Sequence, residues 1–436
     1  MAPIIERVTD LDTRPAPPLL SRAAPALLGY AAVRALGLVV LAVWSAARDK
    51  SALTLLSARW DSLWYTRVAE LGYGYEVRLP NGDVHSNLAF FPLLPWLERA
   101  VSAVTPLSYA HAGLVVSTLA SLAAAWGIFA VVDHVYGRRV GVYAVLLWAV
   151  LPVGVVQSMA YTESLFTALA AWSLYTVLTG RWVIAGALAA LAGLTRPVGL
   201  AVVAAVWAGA IASHLRDRRP DPGSGPKAGP GSGSEAGLGS GPKAGPASGP
   251  EAPFAPPFVR SRGATASDGS PVRARAIGML LAPLGAAGYV LWVGHRTGRG
   301  PLGYLDVQAG WRNGFDGGYA FARFVADKFT SFPSALAGVG LIIGVASVVR
   351  LYVVCVRQGQ PLPLLVYSGI VTALALCASS YFGSKPRLLM PAFPLLLPLA
   401  VALARTRTRR SAAILGGVAA LSAVYGAFWL NGSGPP

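Results

Sequence analysis

Apolar runs of about 20 residues recur along most of the chain, and short polar segments separate them. A helix of that length crosses the roughly 30 Å hydrocarbon core of a bilayer. No segment shows the alternating pattern of roughly ten residues that a membrane β-barrel needs. The pattern therefore predicts an all-α polytopic membrane protein with about 11 transmembrane helices. We place them at 24–47, 109–132, 139–157, 160–179, 183–196, 198–213, 276–295, 332–352, 361–381, 388–404 and 411–430.

Two segments depart from this pattern. Residues 1–23 are polar and proline-rich, and they predict a disordered cytoplasmic tail. Residues 216–275 are rich in Gly, Pro, Ser and Ala and contain the sequence GSGPKAGP twice. Such a segment buries too little apolar surface to offset the entropy lost on ordering. We expect a low-complexity cytoplasmic linker between a front transmembrane block at 24–215 and a back block at 276–436.

Basic residues predict the orientation of the chain. The segment from Phe90 to Arg99 holds two prolines and a charged pair, so we expect a juxtamembrane helix that does not cross. With the N-terminus inside, every predicted cytoplasmic turn then carries arginine, as the positive-inside rule requires. Residues 48–108 become an outer loop, and the linker is cytoplasmic. Arg34 falls within the first span, where we expect it to snorkel toward the cytoplasmic face.

Composition supports this class and excludes several others. Charged residues are 13% of the 436, about half the share in soluble proteins, and the mean hydropathy is +0.54. The net charge of +17 comes largely from the basic turns, so we expect no nucleic-acid partner. Cys355 and Cys377 lie in separate apolar spans, and the histidines are scattered. A disulfide framework, a CxxC metal site and an HExxH zinc motif are thereby excluded.

Four polar segments share the outer face in this topology: Arg59–Glu76, Tyr161–Ser164, Thr195–Pro197 and Tyr381–Arg387. Ionisable residues at membrane depth are costly, which favours a function for them. The acids could supply a general base or bind sugar hydroxyls, and they are Asp61, Glu70, Glu76 and Glu163. The bases could hold a phosphate, and they are Arg196, Lys385 and Arg387.

Several of the polar and aromatic residues on this face also have a purely structural interpretation. Asp61 could form a surface salt bridge, and Arg387 could cap the outer end of a span. The aromatic residues could stack on a sugar or belong to the interfacial belt of any membrane protein, and they are Trp60, Trp64, Tyr65, Tyr73 and Tyr75. The outer loop at 296–331, which includes Trp311, Arg312 and Asn313, could form a lid on the acceptor side.

Several short motifs occur together in an order that resembles the PIG-V-like family, the second GPI mannosyltransferases and their bacterial relatives. They are Arg59-Trp60-Asp61, Gly72-Tyr73, Ala89-Phe90-Phe91-Pro92-Leu93, Tyr161-Thr162-Glu163-Ser164-Leu165-Phe166, Thr195-Arg196-Pro197, and Pro386-Arg387 with Pro391–Pro394. The resemblance covers about 59–200 and 380–400. It implies a GT-C glycosyltransferase that transfers a sugar, expected to be mannose, from a polyprenyl-phosphate donor at an extracytoplasmic site in the plasma membrane.

The resemblance also implies roles for individual residues. Asp61 would be the catalytic carboxylate. Glu163 and the neighbours of Asp61 would line the site, and Arg196 and Arg387 would be candidates for binding the donor phosphate. Together with the polar and aromatic candidates named from the sequence itself, the expected substrate-binding residues are Arg59, Trp60, Glu70, Tyr73, Glu76, Phe91, Glu163, Arg196, Lys385 and Arg387. Leu63 stands where many GT-C enzymes have the second aspartate of an Asp-x-Asp pair, so no metal ligands are assigned and a divalent cation stays an open alternative. The Arg/Ala/Gly/Pro-rich composition suggests a bacterial chain, whose acceptor could be a lipid, a polysaccharide or a protein.

The implied reaction is an inverting transfer, in which Asp61 takes the proton of an acceptor hydroxyl as that hydroxyl attacks the anomeric carbon. The main alternative is a flippase or transporter of lipid-linked sugar. It predicts internal repeats with broken helices in both halves, whereas the sequence shows one broken pair, near Pro197.

Overall fold

The computed structural model describes residues 18–218, 271–379 and 381–432. Residues 1–17 of the expected tail and 219–270 of the expected linker lie outside the described residues. The structure confirms an all-α polytopic membrane protein. Among the described residues, six helices are long and apolar enough to cross a membrane, or up to eight if each of two bent pairs counts as one span. The predicted number of about 11 stays a prediction.

The front block begins with a membrane-length helix and continues through the expected outer loop. Its elements, in chain order, are α1 (Leu19–Ala46), α2 (Ala52–Ser57), α3 (Asp61–Leu71), β1 (Glu76–Arg78), β2 (Val84–Ser86), α4 (Leu93–Val104), α5 (Tyr109–Tyr136), α6 (Arg138–Ala149), α7 (Thr162–Leu178), α8 (Trp182–Gly193) and α9 (Leu200–Asp217). Strands β1 and β2 form an antiparallel hairpin. The segment expected to be a polar loop is therefore folded into two short helices and a hairpin.

The back block has the same helical character. Its elements are α10 (Pro271–Leu281), α11 (Leu284–Thr297), α12 (Gly303–Gly310), β3 (Gly314–Phe315), α13 (Tyr319–Asp327), α14 (Ser334–Arg357), α15 (Leu362–Cys377), β4 (Ala378–Ser379), α16 (Lys385–Leu389), α17 (Leu397–Arg405) and α18 (Thr408–Asn431). Strands β3 and β4 form one antiparallel pair, which joins the segment after α12 to the end of α15.

Two apolar stretches that were expected to be continuous spans are bent. After α6 the chain turns by 88° into a 3₁₀ segment that begins at Pro152, and α16 and α17 belong to a second pair bent by 75°. Proline cannot donate the backbone hydrogen bond that would continue a helix, so Pro152 fits the break. The Arg34 guanidinium of α1 donates to the carbonyls of Ala149 and Gly154. Arg34 thus binds carbonyls at the break instead of snorkelling as expected.

The buried core lies around α5, which packs against α1, α4, α6 and α7. In the most apolar window of α5, 67% of the residues are buried, whereas the figure for α14 is 6%. Helix α5 is therefore central, and α14 faces outward. Helix α4 spans 12 residues, about 18 Å, which is too short to cross the hydrocarbon core.

Candidate active site

Asp61 is placed by a tight turn between α2 and α3. Trp60 has a φ of 52°, in the left-handed region that bulky residues rarely adopt. The Ser62 hydroxyl accepts a hydrogen bond from the Arg59 amide at 2.9 Å and donates to the Arg59 carbonyl at 2.6 Å, which fixes the turn. Helix α3 then begins at Asp61, so the carboxylate sits in the first turn, where the helix dipole favours negative charge.

Arg59 anchors this turn to a distant part of the chain. Its guanidinium donates to the Leu430 carbonyl in the last turn of α18 at 2.6 Å and to the Gly432 carbonyl just beyond it at 2.9 Å. It also lies 4.0 Å from the centre of the Trp60 ring. The structure therefore places Arg59 against backbone carbonyls, on the side of the turn that faces α18.

Asp61 belongs to a network of two carboxylates and two guanidinium groups. Arg387 Nη1 lies 2.9 Å from Asp61 Oδ2, and Arg387 Nε lies 3.3 Å from Glu163 Oε1. Arg196 Nη1 lies 2.5 Å from the same Glu163 oxygen. The Glu163 side chain is 2% exposed and the Asp61 side chain 32%. Glu163 is thus the buried counter-charge that holds both arginines, and Asp61 is the acid that solvent or a substrate can reach.

Interruptions between helices bring the other three residues of the network close to Asp61. Glu163 lies in the first turn of α7, directly after the bent α6 segment. Arg196 lies between α8 and α9, where Pro197 interrupts the helix. Arg387 is in the short helix α16, and its guanidinium lies 5.0 Å from the centre of the Tyr161 ring. Unwound backbone at membrane depth is tolerated where it is buried in protein or lines a cavity.

A cavity of about 670 Å³ opens beside this network. Asp61, Arg196 and Arg387 supply its charged wall, and Trp60 and Phe91 also line it. Burial and the negative charge of Asp61 raise the pKa of Tyr65, another lining residue, so its hydroxyl stays protonated at neutral pH. That hydroxyl lies 3.0 Å from Thr162 Oγ1, which joins α3 to the start of α7.

A second part of the cavity wall is aromatic. We call His85, Trp64, Phe90 and Trp311 the aromatic wall, and all four line the cavity. Trp311 stacks on His85 with ring centres 4.0 Å apart, and Trp64 stacks on Phe90 at 5.6 Å. The Trp64 and Trp311 rings meet edge to face at 4.8 Å. Gln308 and Asn313, which lie within three residues of Trp311 in the chain, also line the cavity.

The remaining sequence candidates lie elsewhere. Glu70 and Glu76 are exposed and do not line the cavity. The Tyr73 hydroxyl donates to the Phe90 carbonyl at 2.8 Å, so this side chain supports the wall from behind. Lys385 is 4% exposed, and its Nζ donates to the carbonyls of Ala375 at 2.9 Å and Ala378 at 2.8 Å. Lys385 therefore stabilises the end of α15.

Sequence reasoning did not propose His85 or Gln308 as site residues, and it named Asn313 only as part of an outer loop that could form a lid. His85 is in β2 and meets Trp311, which follows α12 more than two hundred residues later, so no local pattern joins them. Within the described ranges, no three His, Cys, Asp or Glu side chains lie close enough to hold a metal ion together.

One family model matches part of the chain. Residues 88–221 match the family model described as dolichyl-phosphate-mannose-protein mannosyltransferase. The matched segment contains Phe91, Glu163 and Arg196 but not Asp61 or Arg387. It supports the broader expectation of a GT-C glycosyltransferase, and the narrower resemblance to the PIG-V-like family stays a prediction. No curated protein sequence matches the chain.

Solved structures that are similar to this chain include the following two. ArnT from Cupriavidus metallidurans bound to undecaprenyl phosphate has a TM-score of 0.47 and 15% identity, and the match covers 88% of this chain and 61% of that one. The Archaeoglobus fulgidus oligosaccharyltransferase, in complex with zinc and sulfate, has a TM-score of 0.41 and 15% identity, with 92% and 53% covered. This chain thus spans little more than half the length of these proteins.

Proposed function

We propose that the protein is a membrane glycosyltransferase that moves a sugar, mannose, from a polyprenyl-phosphate donor to an acceptor hydroxyl at the extracytoplasmic face of the plasma membrane. One observation carries the proposal: a partly exposed carboxylate, Asp61, and two guanidinium groups, Arg196 and Arg387, line the same large cavity between membrane helices. A transferase of this kind needs a base for the acceptor and cations for the phosphate that leaves.

The charges suit the two ends of the reacting bond. The acceptor oxygen attacks the anomeric carbon, the bond from that carbon to the phosphate oxygen breaks, and Asp61 takes the acceptor proton. Proton removal by a positioned carboxylate is worth about 10²–10⁴-fold in rate. Arg387 and Arg196 stabilise the negative charge that develops on the departing phosphate. Because that phosphate leaves as an anion, a second acid is not required.

Asp61 is paired with Arg387. A donor phosphate would compete with Asp61 for this guanidinium, because both are anions that bind Arg in the same geometry. Glu163 stays behind Arg387 and keeps it in place. Donor binding would thus release Asp61 from its ion pair and leave the carboxylate available to the acceptor.

Transfer of radiolabelled mannose from polyprenyl-phosphate mannose in membranes that contain the protein tests this proposal. Wild type should move label into a new product, and Asp61→Asn should lower the rate by about 10²–10⁴-fold. The control is Asp49→Asn, because Asp49 is exposed, lies away from the cavity and has a φ of 53° that asparagine also adopts.

Two results would contradict the proposal. Equal transfer by wild type and Asp61→Asn would remove Asp61 from the chemistry. Label that crosses sealed vesicles without entering a product, in wild type and variant alike, would indicate a flippase of lipid-linked sugar instead.

A further inference from the structure

We infer that the aromatic wall, together with the amides of Gln308 and Asn313, is an acceptor subsite that binds an uncharged pyranose ring. The acceptor is then a neutral glycan or glycolipid and not a protein side chain. This inference rests on the proposed function, because it assigns one part of the same cavity to one of the two substrates. It goes further by naming the chemical class of that substrate.

The distance between Asp61 and the aromatic wall suits one sugar ring. Asp61 and Trp64 are three residues apart in α3 and both line the cavity. Residues at this spacing are neighbours on one helix face, about 5–6 Å apart at Cβ. A ring held at Trp64 therefore has its hydroxyl groups within reach of the Asp61 carboxylate, as general-base catalysis requires.

The polar groups beside the wall suit hydroxyls and not a charged ligand. Gln308 Nε2 donates to the Tyr304 hydroxyl and to the Ala89 carbonyl, so its carboxamide is fixed in the wall and in turn holds Asn313. The Asn313 carboxamide can accept from a sugar hydroxyl. Asn313 Nδ2 donates to Gln308 Oε1 at 2.9 Å. Within the described residues, no donor forms a hydrogen bond to the side-chain oxygen of Asn313, Oδ1. Among the cavity-lining residues, the permanent charges are at Asp61, Arg196 and Arg387. The wall itself presents aromatic rings and neutral amides.

The subsite is held rigidly by contacts between two separate extramembrane segments. The Trp311 indole donates to the Ser86 carbonyl at 3.0 Å, and Arg312 Nε lies 2.6 Å from Asp83 Oδ2. The pairing of β3 with β4 ties Gly314 and Phe315, which follow Asn313, to the end of α15. Such a preformed wall lowers the entropy that the protein's own side chains and loops lose when a ligand binds.

The position of the wall favours the acceptor over the donor sugar. The anomeric carbon of the donor is bonded to the phosphate, so the donor sugar must lie next to Arg196 and Arg387. The hairpin with His85 and the segment with Trp311 connect membrane-length helices and have non-helical backbone, which belongs outside the hydrocarbon region unless it is buried. A polar acceptor would approach from that side.

A binding titration tests the subsite without relying on activity. Methyl α-D-mannopyranoside is added to the purified full-length protein, and the fluorescence of its tryptophans is followed. We expect saturable binding to wild type and a Kd about 3–10-fold higher for Asn313→Ala and for His85→Ala, the effect of one lost neutral hydrogen bond or ring contact. The control is His295→Ala, since His295 is exposed and does not line the cavity. No saturable binding, or equal binding by all variants, would overturn the subsite.

A transfer assay separates this inference from the proposed function. Labelled polyprenyl-phosphate mannose is offered with methyl α-D-mannopyranoside or with a Ser/Thr-containing peptide. Transfer to the mannoside, with KM for the mannoside raised in Asn313→Ala and KM for the donor unchanged, supports the subsite. Transfer to the peptide alone overturns the subsite and leaves the transferase standing. Saturable mannoside binding without consumption of the donor would instead overturn the transferase and leave a carbohydrate site.

Discussion

Glu163 stabilises the folded site by balancing the charge of two buried arginines. It is the shared partner of Arg196 and Arg387, and each of these side chains is little exposed. A buried cation that loses its counter-charge costs about 3–5 kcal/mol. Glu163 was expected to bind substrate, and the structure places it behind the two cavity-lining arginines.

We expect Glu163→Gln to lower the free energy of unfolding by about 3–5 kcal/mol, because it leaves two guanidinium groups with less negative charge. Thermal unfolding in detergent measures the effect. The double variant Glu163→Gln with Arg196→Gln removes one of the stranded charges and should recover part of the loss. No recovery in the double variant would contradict this electrostatic explanation.

Glu98 predicts a pH dependence. It is fully buried in α4, its carboxylate oxygens have no hydrogen-bond partner among the described residues, and burial raises its pKa from 4.5 to about 9. Between these values the folded protein keeps a proton that the unfolded chain has released. The free energy of unfolding therefore falls as pH rises through this window.

We expect Glu98→Gln to raise Tm, by little near pH 5 and by more near pH 8, because glutamine cannot ionise. Differential scanning fluorimetry at both pH values measures the difference. Glu70→Gln, at an exposed position on α3, is the control and should leave Tm unchanged. A gain in Tm for Glu98→Gln that is the same at both pH values would contradict an origin in ionisation.

At the scale of the helices, α8 and α10 approach so closely that glycine is required between them. A Cβ built on Gly186 would lie 2.3 Å from the Gly278 carbonyl oxygen, and a Cβ on Gly278 would lie 2.3 Å from the Trp182 carbonyl oxygen. The obstacle is backbone in both cases, so a flexible side chain cannot move aside.

Gly186→Leu should therefore lower the free energy of unfolding by about 1–3 kcal/mol or more, the usual cost of overpacking. The matched control is Gly288→Leu in α11, where nothing lies within 4 Å of the added Cβ. Thermal unfolding of the two variants side by side gives the comparison. Equal Tm values would show that the two helices can move apart at little cost.

The helical elements could be predicted from the sequence to a large extent, because apolar length and basic turns report directly on the membrane. The sharp bends could not, since the expected span at 139–157 has an apolar composition on both sides of Pro152. Of the site, Asp61, Arg196 and Arg387 could be predicted, because they are charged residues next to apolar spans. The aromatic wall does not, because it depends on the contact of His85 with Trp311 across two distant segments.

Over the whole molecule, helices of the front block pack directly against helices of the back block. Helix α8 packs on α10, α9 on α15, α6 on α17 and α1 on α18. The division into two blocks at the linker stays a prediction from composition. The packing shows that the blocks share one core, and the charged wall of the cavity draws on both of them.

We expect the protein to survive a cut between the blocks. A protease site inserted between residues 230 and 231, in the expected linker, should give two fragments that stay together through purification in detergent, because the helix contacts between the blocks remain. Size-exclusion chromatography after cleavage measures this. The control carries the same insertion uncut, and separation of the fragments would contradict a shared core.

The anchoring of Arg59 on residues 430 and 432 has a consequence for biosynthesis. The turn that holds Asp61 is made early, yet its partner carbonyls lie 371 residues or more further along the chain. At a translation rate of about 5–20 residues per second, the ribosome needs roughly 20–75 s to supply them. During that interval the nascent chain contains the Asp61 turn without the two hydrogen bonds from Arg59 to residues 430 and 432. The turn that holds Asp61 therefore gains its full support only after α18 has been made and inserted.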